Sequence, residues 1–396
     1  DLHRLTRALV PLLAQARYAK HFPLPRFADQ GFRYLAALVP ELTLPALSFR
    51  VSQGLQALTA VHQTNVALHT LAMVTPVMLG LCPVSGVAPP LGHRPSHAAL
   101  ATLAAGPRAM RSLLELALPG IDANDPTKLF LTLNAFDVVL ALIPLSGDAW
   151  RADDQPVLVA ADEQAPARYG VFARQALRER LVGELQGRAA AEEAEGGAEG
   201  IASAHEVVCA LDEQSSEAAA LASWLPQFAE QLLGRMLAVL EHLEKVPKKR
   251  AGQHRLQLAK WRLTATLFWQ QLSQKVFDTC LPELLRLIPR SSLLDAAKHL
   301  GAHLAAATLA QPARTLRLAV PAFCSLLLRP KVAGSPRALR PLSEPELLWM
   351  VPLLAQTVRH GGADLLEHWA ELTDVLNVLR AHESLAVAKA AYKLRR

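Results

Sequence analysis

The stretch from Leu113 to Leu145 limits what this chain can fold into more than any other. Leu113, Leu114, Leu116, Ala117 and Leu118 form the apolar end of one helical run. Pro119-Gly120 stops it, because proline cannot continue a helix and glycine tolerates the left-handed position that closes one. Asp125 is placed as an N-cap, and Pro126 stands at the first helical position, where no amide is needed. In the second run Leu129, Leu133, Phe136, Val139, Leu140 and Ile143 recur at steps of three and four until Pro144. The unit reads as one helix-turn-helix member of a stacked array, an architecture that binds rather than catalyses.

The remaining sequence repeats this style. Leu and Ala supply most of the 51% hydrophobic content, aromatics are only 5%, and few runs of Val, Ile, Thr and Tyr suggest strands. These are strong helix formers, and the chain is expected to be all-α. At 396 residues it can hold two or three globular domains or one elongated array. The 27 prolines fall mostly between apolar runs, as markers of helix boundaries. Helices are expected over Leu2–Ala16, Phe27–Val39, Ala46–Leu58 (opened by Pro45), His62–Leu79, and from Pro107 into the Leu113–Leu145 unit. Later ones are expected over Leu221–Leu243, His254–Thr279, Pro282–Ile288, Leu293–Leu309, Pro312–Leu328, Ser343–Arg359, Gly362–Leu379 and Glu383–Leu394. Ser343 and Glu346 have the spacing of a capping box, with Pro345 in the first turn. Pairs recur at very roughly 35 to 45 residues, which implies an α-solenoid of HEAT/armadillo-like helix pairs.

Residues 1–146 and 218–396 carry these repeats. Residues 147–217 between them are acidic and rich in Ala, Glu and Gly, as in Ala189–Gly200, and are expected to be a solvated, largely disordered insertion with one helix near Val171–Leu185. The chain begins at Asp1 without a methionine and ends mid-pattern, so it reads as a piece of a longer protein. Between Val51 and His93 there is no charged residue. A membrane span is opposed by Pro76, Gly80, Pro83 and Gly86, and by His62, Gln63, Thr64, Asn65 and His69 within the run. The expectation is a buried helix and an apolar loop, with no membrane partner.

Reaction chemistry finds little support. His299 and His303 are four apart on one helix and could face one metal, but no third ligand stands near and no H-E-x-x-H glutamate is present, so they are expected to be surface or groove histidines. His93 and His97 share that spacing across Pro95. No phosphate-binding glycine loop and no G-x-S-x-G turn occurs, so no catalytic residue, no metal and no required cofactor is expected. Lys245, Lys248, Lys249 and Arg250 form a basic cluster that suits either a nuclear-import or anion-binding patch or a solvated turn offsetting a helix dipole. Lys331, Arg337 and Arg340 form a weaker one. A net charge of +6 is mild over this length and does not call for direct nucleic-acid binding. Trp224, Trp261, Trp269, Trp349 and Trp369 are expected in the core. Cys82, Cys209, Cys280 and Cys324 lie far apart and fit reduced thiols.

The Leu118–Leu145 segment, with Leu118-Pro119-Gly120, Ile121-Asp122, Asn124-Asp125, Phe136 and Ile143-Pro144-Leu145, closely resembles the large single-chain proteasome activators, the family of proteasome activator complex subunit 4. Pro40-Glu41-Leu42, Leu55–Thr59 with His62-Gln63, Phe228–Met236 and Glu346-Leu347-Leu348-Trp349 resemble further pieces of that family in the same order. The resemblance implies a HEAT-repeat solenoid forming part of a dome on the α ring of the core (20S) proteasome. It implies ATP-independent promotion of peptide and unfolded-protein breakdown, including that of acetylated histones, in nucleus and cytoplasm. It also implies inositol phosphate as a possible ligand. No residue here matches the family's gate-opening tail or histone-reading region. Another HEAT/armadillo scaffold, such as a nuclear transport receptor, is the alternative reading.

Overall fold

A computed structural model describes residues 2–21, 23–57, 60–78, 97–142, 204–242, 251–290, 294–330 and 337–395. The chain divides into two compact units, Asp1–Gly120 with Thr127–Phe228, and Ile121–Pro126 with Ala229–Arg396. The fold class is as expected: an all-α assembly of stacked helix pairs.

The first unit holds α1 (Leu2–Ala16), α2 (Pro23–Leu38), α3 (Pro40–Gln56), α4 (Val61–Met78), α5 (His97–Ala104), α6 (Gly106–Ala117), α7 (Pro126–Leu142) and the first part of α8 (Ala204–Glu241). Helices α1, α3 and α5 form one row and α2, α4 and α6 a second against it, with α3 packed on both. Phe32, Leu47, Leu68, Leu71 and Met110 fill the space between the rows. Buried Thr6, Thr70, Thr75 and Thr132 are satisfied within their own helices; Thr75 Oγ1, for example, donates to the Leu71 carbonyl at 2.7 Å.

The second unit continues with α9 (Ala251–Gln271), α10 (Gln274–Arg286), α11 (Leu294–Ala310), α12 (Pro312–Leu327), α13 (Glu344–Val358), α14 (Trp369–Arg380) and α15 (Leu385–Arg395). Helices α9, α11, α13 and α15 stack in sequence as one row, while α10, α12 and α14 line up as the other. This two-row stacking is what a helix-pair repeat does to bury an apolar stripe that one pair cannot cover alone. Small residues on α11 allow close approach, since a Cβ on Gly301 would sit 3.0 Å from Gln356 Cγ of α13.

Several boundaries differ from the expected ones, and proline explains most of them. Helix α2 begins at Pro23 rather than Phe27, because prolines fit the first turn, where amides have no partner inside the helix. Helix α3 begins at Pro40, with Val39 giving no side-chain cap, and Pro45 lies inside it instead of opening it. Pro11, Pro76, Pro226, Pro282, Pro321 and Pro352 are interior as well. The run expected over His254–Thr279 is broken between α9 and α10 at Leu272-Ser273. There Ser273 is extended and its Oγ accepts from Val276 N at 3.4 Å.

Helix α8 starts at Ala204, ahead of the 218 boundary, while 147–203 lies outside the described residues. Gly362–His368 is a 3-10 helix ahead of α14, and Gly362, at φ 55, has the one positive φ among the described residues. No described helix is long and apolar enough to cross a membrane.

Candidate functional site

The turn between α6 and α7 is built differently from its sequence reading. Gly120 is not left-handed; the chain tightens into a 3-10 turn over Leu118–Gly120. Glycine is required because a Cβ at this buried position would overlap Thr132 Oγ1 of α7. Asn124 N then donates to Asp122 Oδ1 at 2.9 Å, a local turn that leads into Pro126 at the start of α7. Phe136 of α7 packs edge-on to Phe228 of α8, with ring centroids 5.7 Å apart. Two segments that carry the family resemblance thus meet in one core.

Lys245, Lys248, Lys249 and Arg250 lie outside the described residues, as do Lys331 and His93. Arg337 and Arg340 do not form an open basic patch. Arg337 Nε is 3.6 Å from Asp374 Oδ2, and Arg340 Nε donates to the Leu328 carbonyl at 3.3 Å, beside an isolated bridge between Leu328 and Leu339. Both arginines hold the connection after α12 in place.

His299 and His303 are not surface or groove residues. Both are buried, stacked edge-to-face on Trp261 with centroids 5.3 and 5.6 Å away. Trp269 Nε1 donates to His303 Nδ1 at 3.2 Å. Burial, and then the neighbouring His299, push the His303 pKa down to about 3. A neutral imidazole accepting from an indole is a core hydrogen bond, and no group of three or more metal-ligating side chains occurs among the described residues. Trp224, Trp261, Trp269 and Trp349 are buried as expected, and Trp349 Nε1 donates to the Ile288 carbonyl at 2.9 Å. Trp369 is the exception at 63% exposed. The 3-10 turn before it advances 120° per residue instead of 100°, which shifts its phase away from the core. Cys280 and Cys324 are buried thiols whose pKa values rise to about 12 and about 11, chiefly through burial.

The first unit contains a buried ion pair. Arg17 Nε lies 2.5 Å from Asp29 Oδ1, and the same guanidinium donates to Thr70 Oγ1 and stands 5.9 Å over the Phe32 ring. His69 Nδ1 is 3.0 Å from Asp29 Oδ2. This cluster ties α1, α2 and α4 together, and the cavity beside Arg17 is about 10 Å³, room for at most one water.

The site that sequence reading missed is a cleft in the second unit of about 160 Å³. Arg262 and Thr266 of α9 form one side, Ala302, Ala305 and Ala306 of α11 lie between, and Gln356, Arg359 and His360 at the end of α13 form the other. No carboxylate lines it. Its cations come from positions about a hundred residues apart, so no local spacing could have signalled it.

Residues 2–387 match the family described as proteasome activator complex subunit 4, mid HEAT repeats region. The chain belongs to this family. Proteasome activator complex subunit 4A of Danio rerio is 22% identical over 357 residues, covering 89% of this chain and 16% of that protein. The chain therefore spans about one sixth of the length of that relative. A crystal structure of an engineered protein aligns over 98% of each chain at 13% identity, but a TM-score of 0.20 is too slight to bear on the fold. Membership of the subunit 4 mid-region family fits the two rows of helix pairs, and it displaces the nuclear transport receptor reading.

Proposed function

We propose that this chain is a scaffold segment of an ATP-independent activator that caps the α ring of the core (20S) proteasome and promotes breakdown of peptides and unfolded proteins, acetylated histones among them. The single observation that carries the reading is the subunit 4 mid-region match over 2–387. The stacked pairs support it physically. A stack of repeats gives an extended surface for holding partners, and the side chains described above serve packing rather than reaction. The segment acts as architecture and not as a catalyst, in nucleus and cytoplasm. An inositol phosphate is an accessory ligand on this reading, on the strength of the family alone.

The test is copurification of the full-length protein with core proteasome, followed by hydrolysis of a fluorogenic peptide without ATP. Association with a several-fold gain in hydrolysis is expected. A full-length protein that neither associates with the core particle nor raises its peptidase activity overturns the proposal.

A further inference from the structure

The cleft between α9, α11 and α13 has a charge pattern that the packing of the repeat does not require. Helix α9 contains no acidic residue, and the glutamates of α13 stand in its first turn, at the opposite end from Arg359. Arg262 and Arg359 make no ion pair among the described residues. His360 loses proton affinity through burial and then through the charge of Arg359, with no carboxylate offsetting it. Two guanidinium groups and an imidazole thus face one opening with no counter-charge among the described residues.

We propose that this cleft receives a single acidic side chain, aspartate or glutamate, from a peptide or protein bound along the row of helices. Three features select that occupant. The first is size, because a volume of about 160 Å³ takes one side chain, as a cavity of about 150 Å³ takes a benzene. The second is charge. The helix end bordering the cleft is the C-terminus of α13, whose dipole is negative, and this disfavours a dianion more than a monoanion. Arg359 already offsets part of that dipole, so Arg262 supplies the remaining attraction. The third is shape. Guanidinium forks match a planar carboxylate through paired N–H donors, and the Gln356 amide adds a further donor. The alanine faces of α11 and the exposed Leu309 at the rim suit the methylene groups of such a side chain.

Fluorescence polarisation on the full chain tests this with a labelled peptide alternating Glu and Ala, and with its Gln-for-Glu counterpart, at about 0.15 M salt. The Glu peptide binds saturably and the Gln peptide does not. The double variant Arg262→Gln/Arg359→Gln weakens binding at least about tenfold, because it removes both charged hydrogen-bond donors that face the cleft. A control variant, Arg7→Gln/Arg33→Gln, removes the same charge from exposed positions of the first unit and binds as the unsubstituted chain does. Inorganic phosphate competes no better than chloride at equal ionic strength. All four arginines are exposed, so thermal melting of each variant should match the parent. The proposal is overturned by a Glu peptide that does not bind, by undiminished binding to the cleft variant, by an equal loss in the control, or by displacement of the peptide by phosphate.

Discussion

Trp269 donates its indole proton to Nδ1 of His303 over 3.2 Å, with both rings fully buried in the second unit. The bond fixes the tautomer, because an accepting Nδ1 puts the imidazole proton on Nε2. It also explains why His303, one of two histidines at a metal-like spacing, stays neutral. Protonation would turn Nδ1 into a donor facing the indole N–H, and the charge would lie beside His299 in an apolar core.

The first prediction concerns acid. The folded pKa of His303, about 3, lies below its unfolded value of 6.5. Stability from keeping the ring neutral is therefore complete above pH 6.5 and is lost as pH falls from there toward 3. His303→Leu lacks this titration but leaves the Trp269 proton unpaired, a cost of about 1–3 kcal/mol at neutral pH. Urea unfolding at pH 7 and again in mild acid should show the gap between parent and variant shrinking by up to about 1.4 kcal/mol per pH unit. A gap independent of pH would contradict the assignment.

The second concerns the turn after α6. Gly120→Ala should destabilise the first unit by about 1–3 kcal/mol, since the new methyl overlaps Thr132 Oγ1 and neither side has room to retreat. Thr132→Ala removes the obstructing atom. In that background Gly120→Ala should cost about 1 kcal/mol less, a coupling that a double-mutant cycle of chemical denaturation reads directly. Strict additivity would mean that glycine is needed there for backbone conformation instead.

The third concerns the Arg17–Asp29 pair. Arg17→Met leaves the part-buried Asp29 carboxylate with only His69 beside it and should cost about 3 kcal/mol. Adding Asp29→Leu should restore part of the loss, because two apolar side chains avoid the stranded charge. Melting temperatures of the single and double variants check this, and a double variant worse than Arg17→Met would count against it.

The fourth concerns the thiols. With pKa values near 12 and 11, Cys280 and Cys324 carry almost no thiolate at pH 8 and are shielded by packing. Peptide-level mass spectrometry after brief iodoacetamide treatment should find both unmodified in the native chain and both modified in denaturant. Rapid native labelling of either would show that its helix opens.

The sequence was legible where structure follows from periodicity. Leu2–Ala16 matches α1 at both ends, and the Ser343 box is present, with Glu346 Oε2 accepting from Ser343 N at 2.7 Å. The Ser343 hydroxyl, which donates to the same oxygen at 2.6 Å, and then that backbone contact hold the Glu346 carboxyl below its ordinary value. Proline was the least reliable guide, because a proline in the first turn and one deep in a helix look alike in a linear string; Pro40 and Pro45 are five residues apart and play the two different parts. Burial of histidine could not be read from spacing either, since the partner Trp269 lies 34 residues from His303 and belongs to another helix. The cleft required three helices to be placed side by side before Arg262 and Arg359 could be seen to face one volume.

In the row α9, α11, α13 and α15 each helix rests on its immediate neighbours, and α11, α13 and α15 also touch helices of the other row. A substitution in such a stack has to be matched only next door. Mutational drift can then proceed one joint at a time, with each replaced side chain answered by its immediate neighbour and the rest of the column left undisturbed. A family held together in this manner can diverge to 22% identity along nearly its whole aligned length and still stack.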